Sequence, residues 1–357
     1  MNRRLLASVI TCFVIVSVGS ILAQGPAVPA APGGRGGGKG GQRAANPATP
    51  EDLADLAKLA DLPALVQGAG DGDFSTGPDY TPAPEEKQRV GIPHGKLIEF
   101  FMNSASSKVF PGVDAPFERL VSVYIPAQYV PGRPAPFIFS ADSYGLQNRQ
   151  LANILDNMIA DRRLPVMVAV MVANGPGPER SLEYDTVSPV FADFVETEIL
   201  PRVEKETGVT LTKDPDGRMT YGGSSGGAMA LTMAWYRTER YHRVLSYSGT
   251  FVDLREGPEA PHGAYEYPEH FFPNNPVKPL RIWMHVSEND IGAKSASADR
   301  RNWVIANQRL AGVLKAKGYH YQFVYAKNAG HVDAKVIHQT LPQALEYAWK
   351  DYPISGK

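Results

Sequence analysis

Arg218-Met219-Thr220-Tyr221-Gly222-Gly223-Ser224-Ser225-Gly226-Gly227-Ala228-Met229-Ala230 passes from a short β-prone stretch, through a glycine-flanked serine, into a run of small and apolar residues suited to a helix. A chain that leaves a strand, reverses sharply and enters a helix can lift one side chain clear of the sheet. It does so only if the residues two positions either side are too small to clash, and Gly222 and Gly226 meet that demand around Ser224. A second register, Gly223-Ser224-Ser225-Gly226-Gly227, centres on Ser225. Ser224 is preferred. In its frame Gly222 ends the strand, Ser225 offers the backbone N–H that follows the nucleophile, and Gly226-Gly227 open a helix pressed onto the sheet.

A serine hydroxyl needs a base, and the base needs an acid to orient it. Downstream, Lys278-Pro279-Leu280-Arg281-Ile282-Trp283-Met284-His285-Val286-Ser287-Glu288-Asn289-Asp290 is a β-rich apolar run ending in an acidic turn. Asp290 is the expected acid, with Glu288 the runner-up. The next strand, Tyr321-Gln322-Phe323-Val324-Tyr325-Ala326, leads through Lys327-Asn328-Ala329-Gly330 to His331, the expected general base. The chain has eight histidines, so position must separate them. His285 lies inside a strand, His242 follows the helix after the elbow, and His262 and His270 lie in a Pro-rich insertion without an obvious acid partner. His338, seven residues past His331 on a helix, is the competitor.

The strand pattern sets the fold class. Residues 95–101 and 117–126 alternate apolar and polar side chains, as an antiparallel edge does, whereas residues 135–140 and 164–172 are continuous apolar runs, as strands buried on both faces require. A helix over 148–161 supplies the crossover between them. The expectation is an α/β fold with a mostly parallel central sheet and helices on both faces.

The segments Tyr184-Asp185, Glu198-Ile199-Leu200-Pro201, the elbow itself, Lys278-Pro279-Leu280-Arg281, Asn289-Asp290 and Gly330-His331 resemble the enterochelin esterase and esterase D branch of the α/β-hydrolases, over about residues 91–352. That branch is similar to the feruloyl and acetylxylan esterases of carbohydrate esterase family one. The resemblance implies a serine carboxylesterase with Ser224, Asp290 and His331 as its triad. Two segments depart from it: residues 291–299 run longer than the corresponding piece, and the tryptophan that follows the family's histidine is replaced by Val332-Asp333-Ala334-Lys335.

The loop Ala141-Asp142-Ser143-Tyr144-Gly145 lies where such a fold places its second oxyanion donor. The donor is assigned to the backbone N–H of Asp142 or Ser143, beside that of Ser225, with Tyr144 at the pocket. Arg180 and Glu183, in the polar loop after the second apolar run, either contact substrate or pair with each other. The insertion over 257–276, with its Tyr and Phe side chains, is expected as a pocket wall. No His-Glu-x-x-His spacing or dinucleotide fingerprint occurs, and acyl transfer through serine calls for neither metal nor organic cofactor.

Arg3-Arg4 and the apolar run to Ala23 read as a secretory signal, with an uncleaved membrane anchor as the rival. Cys12, the one cysteine, lies within that segment, so an exported product would carry no thiol and no disulfide. Without residues 1–23 the chain has 34 basic and 37 acidic residues, a charge of −3, and nothing in that balance points to nucleic acid. Residues 24–50 are Gly-, Ala- and Pro-rich and read as a flexible tether. Residues 51–90 read as a short helix and more linker, and 91–357 as the catalytic domain. The whole front end therefore looks dispensable. The partner implied is a small-molecule or carbohydrate-linked ester, and the oligomeric state is left open. The alternatives are an acyltransferase of the same fold and an exported binding protein without activity.

Overall fold

Within the apolar runs the side chains alternate between two cores. Phe137 and Phe139 enter one and Ile138 the other; Val168, Val170 and Val172 enter the first, Ala169 and Met171 the second. Such strands must be covered on both faces. The computed structural model describes residues 46–142 and 145–354, and contains nine strands among them. They are β1 (Gly72–Thr76), β2 (Lys96–Asn103), β3 (Glu118–Ile125), β4 (Phe137–Ser140), β5 (Val168–Val172), β6 (Arg218–Gly223), β7 (Arg243–Tyr247), β8 (Arg281–Asn289) and β9 (His320–Gly330). They form one sheet in the order β1-β9-β8-β7-β6-β4-β5-β3-β2. Only β2–β3 and β3–β5 pair antiparallel.

Helices Ser225–Tyr236 and Trp303–Lys317 contribute to the first core, and Gly145–Ala160 and Ala334–Ala348 to the second. The sheet is thus mostly parallel with helices on both faces, as the strand pattern requires. Its order reverses around β4, which lies between β5 and β6, so the loops after β4 and β6 diverge and open a crevice at the carboxyl edge. The elbow sits there.

The front end is built into this fold. Residues 46–50, expected as tether, are paired: the Ala48 N–H donates to Lys294 C=O (2.9 Å), and the Asn46 carbonyl accepts from Ala296 N–H (2.8 Å). Helix Pro50–Ala60 follows, capped by Thr49, whose hydroxyl accepts from Asp52 N–H while the Asp52 carboxylate accepts from Thr49 N–H. Residues read as linker then form β1, which adds a parallel strand beside β9 with Phe74 opposite Val324. Beyond it the Tyr80 hydroxyl donates to Lys327 C=O (2.6 Å) and Glu86 pairs with His338 (2.5 Å). Residues 46–90 therefore belong to the sheet and its covering layer, where tether over 46–50 and linker after the short helix were expected. The expected signal segment and residues 24–45 lie outside the described residues. Among the described residues no helix is long and apolar enough to cross a membrane.

Candidate active site

β6 ends at Gly223 and the next helix begins at Ser225, leaving Ser224 between them at φ 56°, ψ −125°. That conformation is uncommon for a residue with a Cβ. It persists because both flanks are pinned: Ser224 N–H donates to Tyr247 C=O (2.9 Å), and Ser224 C=O accepts from Gly227 N–H (2.9 Å) and Thr250 N–H (3.1 Å). The closeness of the turn explains the glycines. A Cβ on Gly222 would stand 2.4 Å from the Gly226 backbone, and one on Gly227 2.5 Å from Ser246 Oγ.

The turn lifts Ser224 Oγ to 2.8 Å from His331 Nε2, and His331 Nδ1 lies 2.6 Å from Asp290 Oδ1. His331 follows the last residue of β9 and Asp290 the last of β8, so adjacent parallel strands deliver both groups to one edge. The Asp290 carboxylate is buried and accepts from Ile291 N–H (2.8 Å) and Ser248 Oγ (2.6 Å) as well. Burial pushes its carboxyl up. The hydrogen bonds and charge of His331, with the Ser248 and Ile291 donors, outweigh that and hold it below the ordinary carboxylate range. An ionised acid behind an imidazole whose other nitrogen accepts from a hydroxyl can take the hydroxyl proton and stabilise the resulting imidazolium.

The structure separates the remaining candidates. Ser225 is buried at the first helical position and its hydroxyl bonds Asp185, so it is not the residue lifted by the turn. Glu288 is exposed and accepts from Asn328 N–H (2.6 Å) instead of meeting His331. His262 and His270 do have acid neighbours, Asp253 and Glu266, each at 3.1 Å, contrary to the sequence expectation. Acid pairing recurs at His242 and His338 as well, so facing Ser224 Oγ is what distinguishes His331.

Asp142 directly follows the turn after β4 at φ 54°, and Ser225 heads a helix where N–H groups have no intrahelical acceptor. Ser143 and Tyr144 lie outside the described residues. Arg180 and Glu183 do not pair with each other. Arg180 makes a two-pronged ion pair with Asp142 (both contacts 2.9 Å) beside the elbow, with the Asp142 carboxylate 3.1 Å from where a Cβ on Gly226 would stand. Glu183, expected at the pocket, is wholly buried against Arg119 (2.5 and 3.0 Å) and takes no place in the crevice. Its partner lies 64 residues earlier on β3, beyond any local signal. The insertion over 257–276 is likewise core more than wall, since Tyr267 and Phe272 pack against Trp235.

Three site residues were not foreseen. Ser248, at φ 48°, donates to Asp290 and accepts from Val332 N–H (3.1 Å), tying the acid to the residue after the base. Thr250 places Oγ1 3.4 Å from Ser224 Oγ. Trp303 stands edge-on to the His331 ring, although the sequence after His331 lacks the expected tryptophan. The signal for the first two was the polar Ser248-Gly249-Thr250 turn at the carboxyl end of β7; Trp303 gave none.

Sheet order, elbow and the placement of Ser224, Asp290 and His331 define an α/β-hydrolase. The family described as "Putative esterase" matches residues 116–347, and the chain belongs to it. Among solved structures it is similar to the enterobactin esterase of Shigella flexneri (21% identity, 72% of this chain, 61% of that one, TM-score 0.53). It is also similar to a ferulic acid esterase of Anaeromyces mucronatus solved with ferulic acid (14% identity, 76% of this chain, 96% of that one, TM-score 0.54). The chain thus spans about three fifths of the enterobactin esterase's length. No curated protein sequence matches it.

Proposed function

We propose that the protein is an exported serine esterase that works through an acyl-enzyme on Ser224. The observation that carries this reading is the continuous relay from Ser224 Oγ through the His331 ring to Asp290, with steps of 2.8 and 2.6 Å. His331 accepts the Ser224 proton as Oγ attacks the ester carbonyl, and Asp290 keeps the imidazole in the tautomer that leaves Nε2 free. The charge on the tetrahedral oxygen is met by the backbone N–H of Ser225 and that of Asp142 or Ser143, with Asp142 itself held by its ion pair with Arg180; one such donor is worth roughly a hundredfold to a thousandfold in rate. His331 then protonates the departing alcohol, takes a proton from the water that attacks the acyl carbonyl, and passes it to Ser224 Oγ as the bond to the acyl group breaks and the acid leaves.

The substrate class proposed is an ester of a sugar-linked acyl or feruloyl group, or a siderophore-type lactone, in line with the fold shared with ferulic acid and enterobactin esterases. Residues 1–23 act as the export signal. The test is hydrolysis of p-nitrophenyl acetate and methyl ferulate by the protein and by Ser224→Ala, Ser225→Ala and His331→Ala. Loss of at least about a thousandfold is expected for Ser224→Ala and His331→Ala. Ser225→Ala retains turnover per active site while losing stability, because Asp185 loses a partner. Retained hydrolysis in Ser224→Ala rejects the reading. Export is checked by the amino terminus of protein recovered outside the cytoplasm, expected at Gln24.

A further inference from the structure

The loop that carries the acid is longer than the family resemblance implies, and a segment far away in sequence occupies its outer edge. Asn46 N–H and Nδ2 donate to the two carboxylate oxygens of Asp299 (2.8 and 2.9 Å), Ala48 N–H donates to Lys294 C=O, and Ala296 N–H donates to Asn46 C=O. Pro47 bridges to Ser295. At the end of this strap the buried Asp52 carboxylate accepts from Ser297 N–H (3.1 Å) and from the Ser297 hydroxyl, across 245 residues of chain. The Ser297 donor, chiefly, pulls the Asp52 carboxyl down to about 2 despite its burial, so it is ionised wherever the enzyme works.

The inner edge of the same loop faces the relay. Its first residue, Ile291, donates N–H to Asp290 Oδ1 (2.8 Å), and Ile291 C=O accepts from Trp303 N–H (3.1 Å), closing the loop at its base. Asn302 spans it, donating to Ser295 C=O (2.8 Å). Trp303, the residue at which the loop closes, sets its ring edge-on to His331. A twelve-residue excursion with few apolar anchors would wander if it stood alone, since each residue fixed costs on the order of 1–2 kcal/mol of backbone entropy. Here part of that order comes from Asn302 and from Asp253 N–H, which donates to Arg300 C=O (2.9 Å), and the rest of the outer edge is held by the strap.

We propose that the strap is part of the acid–base machinery, with Asp52 a positioning residue that holds Asp290 and Trp303 against His331 through the loop joining them. The inference rests on the assignment of Ser224, Asp290 and His331 made above. It gives residues 46–52 a share in the rate although none of them touches the relay. It also accounts for the long loop: extra length after the acid is the surface on which the strap docks.

The test uses the full chain with Asp52→Ala, Asp52→Asn and Ser297→Ala, with Asp55→Ala as a control whose carboxylate pairs with Lys58 on the surface. Active sites are counted by fluorophosphonate labelling, and Ser224→Ala is run alongside. For Asp52→Ala, kcat per labelled site falls about tenfold with KM within about twofold, a scale set by the sensitivity of rate to small displacements of reacting groups. Asp52→Asn and Ser297→Ala, which each keep part of the contact, fall less, and Asp55→Ala does not change. In proton spectra the far-downfield resonance of the His331 Nδ1–H bonded to Asp290 broadens in Asp52→Ala and returns in Asp52→Asn. If Asp52→Ala fails to fold, Ser297→Ala decides. Loss of thermal stability with unchanged kcat per site and an unchanged downfield resonance overturns the proposal, leaving the strap a mere brace. If Ser224→Ala itself keeps hydrolysing ester, the assignment of the relay fails and this inference falls with it.

Discussion

The indole of Trp303 meets the imidazole of His331 edge to face, with ring centroids 6.1 Å apart and planes at 85°. Trp303 is nearly buried and heads the helix Trp303–Lys317, so the ring against His331 is carried by a rigid element. A base that must swing between serine and leaving group needs a wall that limits tilt without bonding its nitrogens, and an aromatic edge provides one. Trp303→Phe should keep most of the wall and lose at most about threefold in kcat. Trp303→Ala should lose about tenfold in kcat per labelled site, and about 3–5 kcal/mol of stability from the cavity it leaves. Equal kcat values for the two variants would remove the wall from the mechanism.

Thr250 presents a second hydroxyl to the nucleophile. Its N–H helps pin the strained Ser224 carbonyl, and its Oγ1 lies 3.4 Å from Ser224 Oγ, long for a ground-state bond but close enough to tighten as charge builds on that oxygen. Thr250→Val preserves shape and the backbone bond while deleting the hydroxyl. A fall of about fivefold to tenfold in kcat, restored by Thr250→Ser, is expected from steady-state hydrolysis of p-nitrophenyl acetate, in keeping with about 1–1.5 kcal/mol for one hydrogen bond. An unchanged kcat in Thr250→Val would make Thr250 a backbone prop alone.

The elbow was legible because its chemistry is local: Gly222 and Gly226 stand two residues from Ser224 whatever the rest of the chain does. His331 and Asp290 were legible because each ends a strand whose apolar run can be read directly. β1 was hidden. Gly72-Asp73-Phe74-Ser75-Thr76 carries one large apolar side chain, and a strand covered at one edge by β9 needs no more. Arg180 and Glu183 misled by proximity. Three apart on one short helix, they look like a pair, yet their partners Asp142 and Arg119 lie 38 and 64 residues away. The strap shares that cause, since its contact from Asp52 to Ser297 crosses 245 residues, and so does Trp303, whose ring meets that of His331 on a different element.

The Arg119–Glu183 pair is the heaviest electrostatic commitment beneath the site. Both side chains are almost wholly buried; Arg119 also donates to Ala173 C=O (2.7 Å), and Glu183 accepts from Gly175 N–H (3.2 Å). Together they fix the turn that leads from β5 into the helix Pro178–Tyr184, and so the placement of Arg180. Removing one partner strands the other's charge, which typically costs 3–5 kcal/mol, whereas replacing both with apolar groups of similar volume can be neutral. Denaturant titration should therefore show Arg119→Met destabilised by about 3 kcal/mol or more, with much of that regained in Arg119→Met/Glu183→Leu. Additive losses in the double variant would mean the pair is not an isolated unit.

His285 is expected to contribute to the pH dependence of stability. It is fully buried on β8, stacked over Trp283 and beside Tyr247; Nε2 meets Ser287 Oγ at 3.2 Å and Nδ1 has no partner. Burial, chiefly, pushes its pKa down from 6.5 to about 4, with Asp290 opposing and His331 adding to the fall. The folded protein therefore keeps this ring neutral while the unfolded chain protonates it below pH 6.5. Over that interval the unfolded state binds more protons, so stability falls as pH drops from 6.5 toward 4 and levels off below that for this group. The full shift corresponds to about 3 kcal/mol. Denaturant titrations of the protein at pH 7 and pH 4.5 should show a loss of that order, and His285→Phe, which cannot be protonated and suits the stacked site, should lose markedly less. An equal loss in both proteins would assign the acid sensitivity to other groups, foremost the carboxylates held in ion pairs.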